Sequence, residues 1–510
     1  MLPGHLVCAW REEMLRSGKL TRLATVLRSV AVKTTLSCFS ILIGVLATFS
    51  SATASEYTPD DLYSYQYIRL ANGLDVFLKP RPGAHNVSMR MVVHVGTYNF
   101  PCGQKETPHF LEHLLFTGTS RHTESQLDAL IEDNGGSWNA ATGGEKTTYQ
   151  VDIYDHYAYL GLNTLFEILT DSKLTAENIE RTRGIITREA GGQPSSLRKW
   201  LYRNGIGVGA QAKADELLWP PKLNCKDLET AADITSEDIK RVRREYYVPN
   251  NMALIVVGNF DARKMLSRID GNFGRLKPGL VPKNIDGKVP APVRQQVSGT
   301  FAPILGTEAH VALFYQTGGY SSQQVYSIIL VNELMMQQMF KELRVEKGLA
   351  YAPASEIGFD HNVGVLTLSS DASLLKIDAV EDAMLDLVQK IRVKGVSAQE
   401  LKRIRRRVLL NYAQGYEDNS SIASHYASVW RRFESKGQIV NLEQKLNAVT
   451  PDQLTRMVRE TLDPSRVIIA VSRPTLSYHS LYILLGALGL TAVFASAFRW
   501  WTARSKREQN

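Results

Sequence analysis

Short apolar stretches of strand length alternate along this chain with longer stretches of helical period. Leu74-Asp75-Val76-Phe77-Leu78 and Val87-Ser88-Met89-Arg90-Met91-Val92-Val93 are rich in apolar and β-branched residues and predict strands. Residues 251–258 (NMALIVVG) form a nearly unbroken apolar run, as expected of a strand covered on both faces. Residues 107–117, 123–134 and 155–171 carry apolar positions at helical spacing. In the C-terminal half, 310–315 and 363–368 predict strands, and 322–346 and 377–394 predict helices. Between the halves, 277–292 (KPGLVPKNIDGKVPAP) has neither period and reads as a connector. Strands mixed with helix pairs on both sides predict an α+β protein of two similar layered domains, 55–276 and 298–475, joined by a linker over 277–297.

Two apolar runs flank this body. Residues 35–49 (TLSCFSILIGVLATF) are uncharged, follow a basic stretch, and precede Ala52-Thr53-Ala54, a small-x-small cleavage pattern. Residues 1–54 therefore read as a signal peptide, or as an uncut anchor, with translation starting at Met1 or Met14. An Arg-rich mitochondrial presequence is the rival reading. Residues 481–498 (LYILLGALGLTAVFASAF) also lack charge. As a helix they span about 27 Å, close to a bilayer's hydrocarbon thickness. Trp500 and Trp501 stand at the end of that run as interfacial aromatics do, and the basic residues of 499–510 then predict a cytoplasmic tail. The expected topology is a body exported to the periplasm of a bacterium and held on the inner membrane by a C-terminal transmembrane helix.

Composition adds two exclusions. The 510 residues carry a formal charge of +8, but almost all of that excess sits in the two ends, so the body is near neutral and nucleic acid is not an expected partner. Two long apolar runs are too few for a transporter. Of four cysteines only Cys102 and Cys225 fall in the body, where they either pair or remain thiols.

The string carrying chemistry is Thr107-Pro108-His109-Phe110-Leu111-Glu112-His113. Thr107 suits a helix N-cap and Pro108 a first turn. His109 and His113, four apart, project from one helix face and suit one Zn²⁺. Glu112 lies beside them without having to be a ligand. A metal there lowers the pKa of its water toward about 7, and a neighbouring carboxylate takes the proton. This is HxxEH, the inverse of the commoner HExxH order. A third ligand is needed, and physics alone does not single out Glu189, 76 positions after His113, from a charged helix face.

HFLEHLLFTGT at 109–119 resembles the zinc helix of the pitrilysin family of metallopeptidases, which includes insulysin and mitochondrial processing peptidase. The likeness continues through Gly135-Gly136-Ser137-Trp138-Asn139-Ala140, residues 181–189, Tyr247-Val248-Pro249-Asn250-Asn251, and Leu343-Arg344-Val345-Glu346-Lys347-Gly348-Leu349-Ala350-Tyr351. It covers about 66–475 and implies a half-chamber of two related domains. It implies His109, His113 and Glu189 as ligands of one zinc ion per chain, and Glu112 as general base. It also implies that Asn139 and Ala140 lie on an edge strand pairing with substrate backbone, and that Arg344 and Tyr351 meet the substrate carbonyl and developing oxyanion. The implied activity is endopeptidase action on peptides or unfolded segments, by a homodimer closing a chamber or by a heterodimer with a zinc-less relative. The alternative is a weak or inactive member serving as a peptide-binding scaffold. Two positions depart from the family pattern. Thr182 stands where a further Glu often supports the metal, and Glu145-Lys146-Thr147 lacks the usual Asp before its Thr.

Overall fold

The computed structural model describes residues 62–219, 231–282, 292–300, 305–320, 322, 324–359, 363–430 and 439–508. The leader and Cys225 lie outside these residues, as does most of the connector. Cys102 is disulfide-bonded.

The first sheet holds six strands: β1 (Gln66–Arg69), β2 (Asp75–Pro80), β3 (Asn86–Val93), β4 (Ser137–Thr142), β5 (Thr147–Tyr154) and β6 (Met252–Gly258), in the order β1-β2-β6-β3-β5-β4. Only the β2–β6 pair is parallel. The unbroken apolar run of β6 has a direct cause. Leu254 and Val256 face a core shared with helices Thr107–Leu115 and Ala158–Asp171, while Ala253, Ile255 and Val257 face the opposite way. There they meet Ile422, Ala423 and Tyr426 of the helix Asn419–Val429. That helix comes from the second half of the sequence, so the halves interlock through it.

This junction buries a charge. Arg90 on β3 is 1% exposed and pairs with both carboxylate oxygens of Asp152 on β5, at 3.0 and 3.1 Å. It also donates to Ser424 Oγ at 3.1 Å and to Ser420. Removing one member of such a pair leaves the other buried and uncompensated, which costs far more than an exposed pair is worth. Asp152→Ala is expected to destabilise the fold by about 3 kcal/mol, read as a lower denaturant midpoint with an unchanged transition slope.

The second sheet runs β10-β11-β9-β12-β7. Its strands are β7 (Gln295–Thr300), β9 (Glu308–Gly318), β10 (Ala354–Phe359), β11 (Val363–Ser373) and β12 (Val467–Arg473), and a separate two-residue pair is formed by β8 (Leu305–Gly306) and β13 (Leu476–Ser477). β7 opens at Gln295, so the connecting stretch ends before 297. The helix Ile377–Lys394 has the bounds its period predicts. The predicted 322–346 helix is instead two pieces. An α-helix, Val325–Met339, passes into a wider-wound π turn, Phe340–Glu346, where only Leu343 is buried. Thr107 is also not a cap. It is the first residue of its helix, and its hydroxyl donates to Gln104 O at 2.7 Å.

The last helix, Tyr478–Glu508, contains a candidate span, Tyr478–Trp501, within which an 18-residue window has a mean hydropathy of 2.0 and none of it buried. Among the described residues it is the one helix long and apolar enough to cross a bilayer.

Candidate metal centre

Helix α1 (Thr107–Leu115) buries Phe110, Leu111, Leu114 and Leu115 in the first core. That anchoring leaves His109 and His113 side by side on its other face, both half-buried. Glu189 is the last residue of helix α2 (Ala176–Glu189), which buries Ile179, Thr182 and Ile186. Arg183 ties α2 to α1: its guanidinium lies 5.3 Å from the Phe110 ring centroid and donates to Ile234 O at 3.0 Å. The chain separation that hid Glu189 in the sequence is closed by this packing.

Glu189 Oε2 lies 3.5 Å from His109 Nε2 and 3.5 Å from His113 Nε2, and the two imidazole nitrogens are 3.1 Å apart. A tetrahedral zinc ion with bonds of about 2.0–2.1 Å sets its ligand atoms roughly 3.3 Å from one another. Two neutral-capable nitrogens and a carboxylate oxygen at those separations are the donor set and spacing that such an ion needs.

Glu106 is a member of the site that sequence reasoning missed. Its Oε2 sits 3.0 Å from His109 Nδ1, which turns Nε2 toward His113 and Glu189. The bond with Glu106 raises the His109 pKa, against the effect of burial, and the charges of Glu112 and Glu189 add to the rise. The same bond lowers the pKa of Glu106. The signal was present, since Glu106 precedes His109 by three residues and shares its face. A carboxylate behind a ligating imidazole fixes its tautomer and strengthens it as a donor. Glu106→Ala is therefore expected to weaken zinc binding about 10- to 100-fold, measured by competition with a chelating dye. Thr182, also on the buried face of α2, has a hydroxyl with no hydrogen-bond partner among the described residues.

Glu112 is 8% exposed, and its Oε2 accepts from Thr142 Oγ1 at 2.6 Å. Behind it, the phenols of Tyr149 and Tyr247 meet at 2.7 Å, and burial pushes both pKa values upward. Asn139 and Ala140 lie on β4, an edge of the first sheet. The Asn139 amide oxygen accepts from the Ala140 N–H at 2.9 Å, so Asn139 now covers a donor on that strand. Arg344 and Tyr351 stand together at the end of the π turn, the guanidinium 4.4 Å from the Tyr351 ring centroid, with Tyr351 78% exposed. Among the described residues, no hydrogen bond, ion pair or ring contact joins either residue to the histidine–glutamate cluster.

Residues 75–206, which contain this whole cluster, match the family model described as "Insulinase (Peptidase family M16)", and 233–408 match "Peptidase M16 inactive domain". The chain belongs to the M16 peptidase family. Its relatives include an uncharacterized zinc protease of Rickettsia felis, 24% identical over 76% of this chain and 92% of that one. The beta subunit of the mitochondrial-processing peptidase of Blastocladiella emersonii is 26% identical over 53% of this chain and 56% of its own length. A protease from Helicobacter pylori superposes with a TM-score of 0.69 at 20% identity, covering 81% of this chain and all of the other. The M16 two-domain fold thus accounts for both mixed sheets. The family's inactive-domain model covers the half that holds Arg344 and Tyr351, and all the candidate metal ligands lie in the other half.

Proposed function

We propose that this M16 chain is a membrane-anchored zinc endopeptidase, hydrolysing peptides or unfolded polypeptide segments with one zinc ion per chain. The observation that carries the reading is the convergence of one ligand atom each from His109, His113 and Glu189 within 4.8 Å of one another, beside the nearly buried carboxylate of Glu112. When bound, zinc supplies a Lewis acid that polarises the peptide carbonyl and acidifies water. The chain's own residues do the rest. Glu112 takes a proton from the attacking water and hands it to the leaving amine. The main chain of β4 around Asn139 and Ala140 aligns an extended substrate by strand addition, which tolerates varied sequences. Arg344 and Tyr351 offer a guanidinium and a phenol to the carbonyl oxygen as charge develops there. In the proposed homodimer they do so across the interface between two copies.

The exposed apolar segment Tyr478–Trp501 supports the anchor. We place the body in the periplasm, on a bacterial inner membrane, with the basic residues after Trp501 on the cytoplasmic side. The test of the catalytic reading is digestion of unstructured peptides by the purified full chain, with and without a chelator. Cleavage lost with the chelator and restored by zinc supports the reading, and cleavage indifferent to the chelator refutes it.

A further inference from the structure

The open edge of β4 and the carboxylate of Glu112 meet in one residue. Gly143 N–H donates to Lys146 O at 2.8 Å, closing the β4–β5 hairpin. Main-chain groups alternate in direction along a strand. Residues 141, 139 and 137 therefore address β5, and Thr142, Ala140 and Trp138 address the open edge. The Ala140 N–H agrees, since its acceptor is the Asn139 side chain and not β5. Side chains alternate too, so Trp138, Ala140 and Thr142 share the face toward α1. Trp138 packs edge-on against Phe116 at 4.6 Å there, and Thr142 donates to Glu112 at 2.6 Å.

The geometry points to Thr142 as the positioning residue for Glu112, coupling substrate docked along β4 to the placement of the general base. This assignment rests on the peptidase reading above. The Thr142 hydroxyl has one proton and two oxygens within reach, Glu112 Oε2 at 2.6 Å and Thr147 Oγ1 at 3.2 Å. The carboxylate is the nearer and stronger acceptor. The Thr147 hydroxyl is itself committed to Val95 O at 2.9 Å, which fixes the hairpin end that carries Thr142. One carboxylate oxygen of Glu112 is thereby held on the strand, and the other remains for water. A peptide paired with the outward main chain of Ala140 and Thr142 would stiffen the segment that holds the base. The hydroxyl is thus expected to matter for turnover more than for peptide affinity.

Thr142→Val keeps the β-branched shape and removes the donor, and Thr142→Ser keeps the donor. In the zinc-loaded full chain, assayed on the peptide the wild type cuts fastest from an unstructured library, Thr142→Val is expected to lower kcat about 10- to 100-fold. KM and zinc content should stay near wild type, and Thr142→Ser should recover most of the loss. An unchanged kcat in Thr142→Val, or a loss confined to KM, overturns the assignment. Failure of the zinc-loaded wild type to cut any peptide of the library would instead overturn the peptidase reading beneath it. A crystal structure of Thr142→Val decides the matter without turnover: a displaced Glu112 carboxylate supports the coupling, and one left in place contradicts it.

Discussion

Exchanging Glu112 for Gln is expected to lower peptide hydrolysis by roughly 10²- to 10⁴-fold, the range ascribed to a positioned general acid–base group. The substitution is nearly isosteric. The amide oxygen of the new side chain can still accept from Thr142, so the packing around this 8% exposed position is preserved. What disappears is the ability to take a proton. Zinc content and thermal stability should therefore match wild type while kcat collapses. A Gln variant that cleaves at the wild-type rate would remove Glu112 from the chemistry, whatever the metal content.

The second large effect belongs to the ligands themselves. His113→Ala is expected to leave bound zinc at roughly a tenth or less of the wild-type content after dialysis, because a three-residue site reduced to two donors loses much of its binding free energy. Glu189→Ala should behave alike, although it lies on a different helix and is the most exposed of the three. That shared outcome is the informative part. A surface glutamate at the end of α2 has no other reason to control metal content. The fold should survive both changes, since neither His113 nor Glu189 belongs to the buried core that anchors its helix. Activity should fall with the zinc.

How legible this was from sequence depended on distance along the chain. His109, Glu112 and His113 could be read because a helix turns a spacing of four into shared direction. Glu106 could have been read by the same rule, but a carboxylate ahead of a helix is ordinarily an end effect. Glu189 could not be derived locally. Its place is fixed by α2 lying on α1, with Arg183 over Phe110, and only the family resemblance pointed to it. Thr142 was silent for a related reason: strand period gives a side chain's face, but not the carboxylate it will meet.

The sheets show the same division. The apolar run of β6 announced a strand covered twice, yet nothing in it announced that Asn419–Val429 would be one of the covers. An amphipathic period says that a face is buried and leaves the partner open. The break in the predicted 322–346 helix escaped for another reason. Its composition favours helix throughout, and the widening at Phe340–Glu346 is a matter of backbone hydrogen bonding that leaves little trace in residue types. The C-terminal apolar helix was legible because length and absence of charge suffice to define it.

The central claim is that a single zinc ion sits between two helices, held by His109, His113 and Glu189. It is tested most directly by anomalous diffraction from crystals of the full chain, collected on both sides of the zinc absorption edge. The account predicts one edge-dependent peak per chain within about 2.2 Å of His109 Nε2, His113 Nε2 and a Glu189 carboxylate oxygen. Crystals grown with zinc that show no such peak there, or show Glu189 turned away from an ion held by other residues, would contradict it.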